Sequence, residues 1–481
     1  MSTERAGTSP KRRGWKIFIA AGVMTLAVST GIGFPFISEI TSVGAGFFAK
    51  QLCSEVFVAG RDPVRVVDTD LRYFFPRVLM LIAWWKVDRE AGVTRASFLG
   101  IGARVARYRD DAGCSLDPMD QPMHDSSKKA AVNSPAPLKG VSNQMVAAPS
   151  PWVAAPATKE RLNALIDQGF AEANDEAASQ RHTRAIVVVH NGRLLAERYA
   201  EGFDASSRFP GWSIAKSFTH ALVGVLVGDG RIKLDGAVDL SEWQGDERRA
   251  ISWDQLLRMK SGLAFDETYA KPLSDINAML WLVPDAGQFA AAKPATSAPG
   301  ATWRYTSGTS NIITKAIRGV LGEGEHADFP RRALFDRIGM TSALMERDGR
   351  GNLVGSSFVY ATALDYAKFG WLYAMDGIWD GTRILPAGWV RHAMQPTEGS
   401  NRRYGAHFWL NSLAEEGEHF NGAPPAMLHA SGFGGQWITI LPAERLVIVR
   451  LGQTMNRTGW TQLSFVAAVR EAIAFPRAAE R

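Results

Sequence analysis

The chain has 481 residues, of which 46% are hydrophobic and 21% are charged, a balance typical of folded proteins and unlike that of disordered chains. This length exceeds one ordinary domain. The formal charge is +6, and several of the basic residues cluster near the amino terminus. No basic stripe interleaved with aromatic residues follows, so nucleic-acid binding is not expected.

A run of 21 uncharged residues, 17–37, follows a basic tail over 1–16. At about 1.5 Å per residue, a helix of this length crosses a hydrocarbon core of about 30 Å. Basic flanking residues stay on the cytoplasmic side, so the tail should be cytoplasmic and the rest of the chain should face outward. We therefore expect a transmembrane anchor over 17–37. The alternative is a signal peptide cleaved after export, whose apolar region is usually shorter, about 7–15 residues.

Residues 38–117 are expected to form a small module of their own, with strands over 78–85 and 94–99. The chain has two cysteines, Cys53 and Cys114, and both fall in this region. After export they would lie in an oxidising compartment, where an even pair favours one disulfide. Two unpaired thiols are the alternative.

Residues 118–157 are rich in Pro, Ala, Ser and Lys without hydrophobic periodicity, and we predict a flexible linker there. The main domain is predicted over 158–481. Its predicted elements are a helix over 161–174, a hairpin over 185–195, a helix over 213–228, a mostly helical middle over 250–380, strands over 436–441 and 445–451, and a closing helix over 461–474. This order predicts an α+β fold whose sheet is built from both ends of the domain, with a helical subdomain beside it.

The motif Ser213-Ile214-Ala215-Lys216 is the first candidate for chemistry. On a helix, positions i and i+3 share a face, so the Lys216 amine can reach the Ser213 hydroxyl and take its proton. The helix N-terminus also supplies backbone N–H groups where an oxyanion would form. The bare pattern is weak, because Ser126 and Lys129 repeat it in the linker. Alone, it is more often an N-cap serine with a surface lysine.

Two later motifs follow Ser213 in order. Tyr305-Thr306-Ser307-Gly308 offers a tyrosine that can relay a proton and a serine that can bind the lysine. The glycine-rich run 429–436 lies at the start of a strand, where its N–H groups can approach a substrate carbonyl. Taken singly, the first is usually a turn tyrosine and the second a cluster of β-bulge glycines.

In this order the motifs resemble those of the serine β-lactamase-related superfamily. The resemblance is to the class C β-lactamase-like branch that includes 6-aminohexanoate-dimer hydrolase and related carboxylesterases. Further runs that carry it are 212–218, 256–263, 265–269, 335–340 and 385–389. It covers about residues 159–475 and implies a β-lactamase/transpeptidase-like fold.

The resemblance also implies roles for residues. Ser213 would be the acylated nucleophile, Lys216 its base partner and Tyr305 the proton relay, with an oxyanion hole from the Ser213 N–H and an N–H of the glycine-rich strand. The candidate oxyanion and substrate-binding residues are Ser307, Tyr269, His429, Gly432, Phe433, Gly434, Gly435 and Gln436. The aromatic residues that flank these motifs could line an apolar acyl pocket: Trp212, Phe265, Tyr269, Trp303, Phe433 and Trp437.

Two departures bear on the substrate. Tyr-x-Ser replaces the Tyr-x-Asn of class C β-lactamases, and the Lys-Thr-Gly triad that binds a β-lactam carboxylate is absent. Either His429 or Phe433 takes the place of that lysine. The loss of the cation argues against β-lactam substrates.

We therefore expect a serine hydrolase acting on a small, neutral amide or ester without a cofactor. No metal is expected, because the nine histidines are scattered along the chain. The alternative is a membrane-tethered penicillin-binding-like or sensor protein with slow or no turnover. The expected location is a bacterial inner membrane with the catalytic domain on the periplasmic side, or secretion if the leader is cleaved. The oligomeric state is left open.

Overall fold

The computed structural model describes residues 33–118, 156–171, 181–410, 426–454 and 460–473. The predicted basic tail and most of both the predicted anchor and the predicted linker lie outside these ranges. Within them, no helix combines the length and apolar character needed to cross a bilayer. Residues 33–37, the end of the expected anchor, belong to a helix that runs to Cys53, and residues 17–32 lie outside the described ranges.

Residues 33–118, called the N-terminal segment below, form a helical layer on a small sheet. The elements are α1 (Gly33–Cys53), a π-helical turn (Ser54–Val58), α2 (Pro63–Thr69), a 3-10 turn (Leu71–Tyr73), α3 (Arg77–Ile82), β1 (Ala83–Asp88), β2 (Val93–Phe98), β3 (Ile101–Arg109) and β4 (Gly113–Leu116). The strands form an antiparallel sheet in the order β1-β2-β3-β4, and α1 packs on β2 and β3.

The predicted strand over 94–99 is confirmed as β2, whereas the one over 78–85 is wrong in its first half. Residues 78–82 are helical and the strand begins at Ala83. Leucine and methionine favour a helix as readily as a buried strand, and Pro76 stands at the N-cap, where no N–H is needed.

The N-terminal segment shares its core with the rest of the chain. Phe48 of α1 and Trp281 of the later domain belong to one cluster of buried apolar side chains. A buried ion pair joins the same two parts, with Lys50 Nζ 2.6 Å from Glu346 Oε2. The segment that the sequence suggested as a separate module is therefore packed against the rest of the described chain.

Cys53, at the end of α1, and Cys114, in β4, form a disulfide, which is the pairing that the sequence favours. Glu346 lies beside it and accepts hydrogen bonds from the Cys114 N–H at 2.6 Å and from Ser54 Oγ at 2.9 Å. These contacts hold α1, β4 and the chain around Glu346 in one buried cluster.

The remaining described residues form an α+β domain. The helices are α4 (Pro156–Phe170), α5 (Ile214–Gly228), α6 (Trp253–Leu257), α7 (Asp275–Trp281), α8 (Ala286–Ala291), α9 (Ser307–Leu321), α10 (Glu323–His326), α11 (Ala363–Ala374), α12 (Trp389–Met394) and α13 (Gln462–Ala472). The strands are β5 (Thr183–His190), β6 (Arg193–Tyr199), β7 (Arg208–Pro210), β8 (Leu344–Met345), β9 (Val359–Thr362), β10 (Ile378–Trp379), β11 (Thr382–Arg383), β12 (Trp409–Leu410), β13 (Leu428–Gly432), β14 (Gln436–Leu441) and β15 (Leu446–Gly452).

The main sheet is antiparallel, in the order β12-β13-β14-β15-β5-β6. Ile448 of β15 lies opposite Val188 of β5, so the predicted sheet built from both ends of the domain is confirmed. The predicted hairpin is confirmed too. Asn191 and Gly192 turn it with φ of 50° and 74°, the left-handed values that such a turn requires.

Helices cover both faces of this sheet. Helices α4 and α13 pack on one face, where they enclose a second apolar cluster. Helices α5 and α11 pack on the other. Residues 214–226 of α5 are all buried, so this helix begins inside the protein, beside the end of β13.

Candidate active site

Ser213 lies in the turn that enters α5. The preceding Trp212 has φ of 49°, a left-handed conformation that is rare for a bulky residue and typical of functional sites. Gly211 packs so tightly that a Cβ there would come within 2.6 Å of Tyr366 Oη. Ser213 does not use its side chain to cap α5, and it remains half-buried. The Ser213 hydroxyl is therefore held by a constrained turn and is free of a capping role.

Lys216 lies one helical turn after Ser213, and its side chain is buried. Its Nζ is 3.0 Å from Ser213 Oγ, 3.1 Å from Ser307 Oγ and 3.1 Å from the Ser356 carbonyl. These three oxygens can accept all three hydrogens of an ammonium group, and the free amine retains a lone pair for the Ser213 proton. The spacing predicted from the sequence thus brings the amine to the hydroxyl.

Glu267 joins this network through Ser307, which begins α9. Ser307 donates to the carboxylate twice, from its N–H at 2.8 Å and from Oγ at 2.6 Å. Burial raises the pKa of Glu267, while the nearby charge of Lys216 and the Ser307 hydrogen bonds oppose that rise. Sequence reasoning assigned Glu267 no role, because a lone carboxylate two residues before Tyr269 gives no signal of a contact with Ser307.

Tyr305 lies just before α9, next to the Lys216 side chain. Lys216 Nζ is 4.9 Å from the centroid of its ring. Tyr404 and Trp409 pack against the same ring at centroid distances of 5.8 and 5.3 Å. Thr306 caps α9 by accepting from the Thr309 N–H, which fixes the backbone beside the tyrosine. Ser213, Lys216, Tyr305 and Ser307 are therefore brought together.

The end of β13 reaches the Ser213 turn through Gly432. A Cβ at this position would lie 2.1 Å from the Gly211 carbonyl oxygen, so a side chain cannot be accommodated without moving the backbone. The following residue, Phe433, places its ring 5.6 Å from the ring of Trp212. Gly434 and Gly435, with φ of 74° and 79°, complete the turn into β14.

His429 and Gln436 do not face Ser213. Leu428 and Ala430 belong to the cluster around α5, so His429 between them points to the opposite face of the sheet. There its Nδ1 meets Thr439 Oγ1 at 3.0 Å. Gln436 Nε2 donates to the carbonyls of Phe433 and Gly452, which braces the turn. The structure thus brings neither of these two predicted side chains to Ser213.

Tyr269 lies on the loop that carries Glu267. Its ring stacks on Phe433 at 6.2 Å. Burial of its hydroxyl end raises the pKa of Tyr269 well above the usual range, and the neighbouring Glu267 and Tyr305 raise it further. The hydroxyl therefore points inward. Because the residue as a whole is 43% exposed, the remainder of its side chain borders the opening.

His407 is a second buried residue near Lys216 that sequence reasoning missed. Its Nε2 is 2.8 Å from Ser310 Oγ, and its Nδ1 is 2.7 Å from the Leu257 carbonyl. Burial lowers the pKa of His407 to about 3, with a smaller contribution from the charge of Lys216. At neutral pH the imidazole is uncharged. Across the described ranges, no three His, Cys, Asp or Glu side chains are grouped as metal ligands.

The sequence profile of the beta-lactamase family matches residues 162–469, which include every residue of this site. The chain belongs to the beta-lactamase family. Among curated proteins, the 6-aminohexanoate-dimer hydrolase of Paenarthrobacter ureafaciens is 24% identical over 373 residues, covering 73% of this chain and 91% of that protein.

Solved structures agree on the fold of this beta-lactamase family member. EstCE1, described as a hydrolase with promiscuous acyltransferase activity, gives a TM-score of 0.52 at 12% identity, covering 66% of this chain and 98% of that one. A penicillin-binding protein homologue from Caulobacter crescentus gives a TM-score of 0.51 at 16% identity, covering 67% of this chain and 99% of that one. The predicted β-lactamase/transpeptidase-like architecture is confirmed.

Proposed function

We propose that this chain is a serine hydrolase that cleaves an amide or ester bond through an acyl-Ser213 intermediate. The observation that carries the proposal is the 3.0 Å contact between Lys216 Nζ and Ser213 Oγ at a constrained turn. Relatives described as hydrolases and the family assignment support the same chemistry.

In the proposed reaction, Ser213 Oγ attacks the carbonyl carbon while its proton passes to the free amine of Lys216. The oxyanion is bound by the Ser213 N–H and an N–H at the end of β13, which Gly432 brings close. Tyr305, against the Lys216 side chain, relays the proton to the leaving amine or alcohol. Water then attacks the acyl-enzyme and regenerates the Ser213 hydroxyl.

The nucleophile is tested with a fluorophosphonate probe on the purified protein. Wild type should form one covalent adduct, Ser213→Ala none, and the control Ser206→Ala, on an exposed turn, a normal one. An undiminished adduct in Ser213→Ala would contradict the assignment. Labelling without turnover of any substrate would instead indicate the slow, penicillin-binding-like alternative.

Substrate class follows from the surroundings of the end of β13. At this end Gly432 has no side chain, Phe433 packs on Trp212 beside Ser213, and His429 points to the other face. A β-lactam carboxylate would find no cation on this strand. We expect turnover of short-chain p-nitrophenyl esters or linear amides to exceed that of nitrocefin. Fast nitrocefin hydrolysis without esterase or amidase activity would contradict this expectation.

We further propose that the enzyme is held at the outer face of a bacterial inner membrane by the run 17–37. Three features support this: the basic residues before that run, the disulfide, and the exposed apolar side chains of the N-terminal segment, which are Phe34, Phe36, Val64, Tyr73, Val78, Leu81, Trp84 and Leu99. Protease added to intact spheroplasts should then digest the membrane-bound enzyme. Full protection of a membrane-bound chain would contradict the orientation, and recovery of a shortened soluble chain would indicate signal cleavage.

A further inference from the structure

Four aromatic rings stand side by side at the mouth of the Ser213 site, and we call them the aromatic wall. Phe433 lies at the centre, with its ring centroid 5.5 Å from Phe74, 5.6 Å from Trp212 and 6.2 Å from Tyr269. Phe74 and Tyr269 both stack on Phe433 with interplanar angles of 29°. The wall thus extends from the residue before the nucleophile to the N-terminal segment.

Phe74 differs in origin from the other three residues of the wall. Trp212, Tyr269 and Phe433 lie within residues 162–469, the part that matches the family profile, whereas Phe74 precedes it. It follows the 3-10 turn of the N-terminal segment, on the stretch between α2 and α3. The segment therefore supplies a surface to the site in addition to packing against the domain.

The position of Phe74 is fixed from behind. Phe47 of α1 packs on it at 4.7 Å and on Trp281 of α7 at 5.0 Å. Helix α1 approaches α7 so closely that a Cβ on Gly46 would lie 2.5 Å from the Trp281 carbonyl oxygen. The ring of Phe74 is thus held by a chain of contacts that ends in the catalytic domain.

The wall leaves apolar surface open to solvent. Among the described residues from 156 onward, the large hydrophobic side chains that are exposed are Tyr269 and Phe433, at 43% and 39%. They are neighbours, and they border Ser213 through Trp212. Exposed apolar surface at the mouth of a polar site is typical of a surface that binds the apolar part of a ligand.

We propose that the N-terminal segment completes the substrate site through Phe74, and that the wall binds an uncharged, apolar arm of several carbons next to the scissile bond. This inference rests on the proposed hydrolase function and adds the class of substrate. None of the four rings carries a charge at neutral pH, so a neutral aliphatic arm fits the wall better than a carboxylate or an ammonium group does. Each methylene placed on such a surface contributes up to about 0.8 kcal/mol, about fourfold in kcat/KM.

The test compares p-nitrophenyl acetate with the hexanoate, and methyl with hexyl esters of one acid, in wild type, Phe74→Ala and Phe74→Leu. In wild type we expect a preference for the longer arm in at least one series. Phe74→Ala should reduce that preference about 10-fold, and Phe74→Leu, which keeps apolar bulk, by less. The matched control is Phe75→Leu, since Phe75 packs on Phe47, Phe48 and Phe98 and not on the wall. It should keep the wild-type preference.

The outcomes separate the two proposals. A wild type that labels at Ser213 and turns over esters, with an unchanged length preference in Phe74→Ala, overturns this inference and leaves the hydrolase proposal intact. An equal loss in Phe74→Ala and Phe75→Leu also overturns it, because it indicates general destabilisation. A wild type that neither labels nor turns over any ester overturns both proposals.

Discussion

Replacing Glu267 by glutamine would remove a negative charge from the catalytic network while nearly preserving the shape of the side chain. Lys216 Nζ lies 3.1 Å from Ser307 Oγ, which lies 2.6 Å from Glu267 Oε1, so the two charges are at most about 6 Å apart. At an effective dielectric constant of about 20, opposite charges at that distance attract by about 2.8 kcal/mol.

The direction in which the pH profile of Glu267→Gln moves follows from the role of Lys216. Lys216 must be a free amine to accept the Ser213 proton, and the Glu267 carboxylate favours the ammonium form. In Glu267→Gln the acidic limb of kcat/KM against pH should therefore move to lower pH. The plateau should fall about 10- to 100-fold, because the Ser307 N–H loses a charged acceptor worth about 1.5–3 kcal/mol.

The assay is p-nitrophenyl ester hydrolysis between about pH 5 and 9, followed at the isosbestic wavelength of p-nitrophenol. Asp266→Asn is the matched control, since Asp266 is the neighbouring carboxylate but bonds the Thr268 N–H and Lys271 near the surface. In Asp266→Asn the acidic limb of kcat/KM should stay where it is in wild type, because exposed charges are screened. If the acidic limb of kcat/KM in Glu267→Gln stays at the wild-type pH or moves to higher pH, the reasoning is refuted.

Three further changes test the structure. Glu346→Gln, which breaks a buried ion pair, should lower the free energy of unfolding by about 3–5 kcal/mol in urea denaturation, and a loss under about 1 kcal/mol would contradict the pair. Burial holds the pKa of His429 at about 3, so the unfolded chain takes up a proton below about pH 6.5 that the folded state excludes. Stability should therefore fall by about 2 kcal/mol for this histidine between pH 7 and pH 5, and His429→Gln should remove that part of the slope; an unchanged slope would be inconsistent with it. Gly432→Ala places a Cβ 2.1 Å from the Gly211 oxygen and should lower kcat/KM at least about 100-fold, whereas Gly319→Ala, with no atom within 4 Å, should leave it unchanged; equal effects would argue against the close approach.

The parts of the site that local spacing determines could be predicted from the sequence. Ser213 and Lys216 meet because positions i and i+3 share a helix face, and the hairpin at Asn191 follows from the turn preference of Asn-Gly. The order of the motifs then sufficed to predict the family, and the order of the predicted strands and helices sufficed to predict the sheet built from both ends of the domain.

Other parts depend on information that linear spacing does not contain. Glu267 meets Ser307 across a loop whose path is set by tertiary packing. The face to which His429 points depends on a register of one residue in β13, which a glycine-rich run leaves undefined. The position of Phe74 at the site depends on the packing of α1 on α7. The hydrophobic periodicity of the sequence does not predict that packing.

The pairing of β5 with β15 has a consequence for how the chain acquires its structure. Val188 pairs with Ile448, roughly 260 residues later, so the inner edge of the first hairpin stays unpaired until nearly the whole domain has been synthesised. At about 5–20 residues per second this interval lasts on the order of 10–50 seconds. An open apolar strand edge during that time favours association with other chains. We therefore expect folding of this enzyme to be slow and to depend on chaperones that cover the β5–β6 hairpin until its carboxyl-terminal partner arrives.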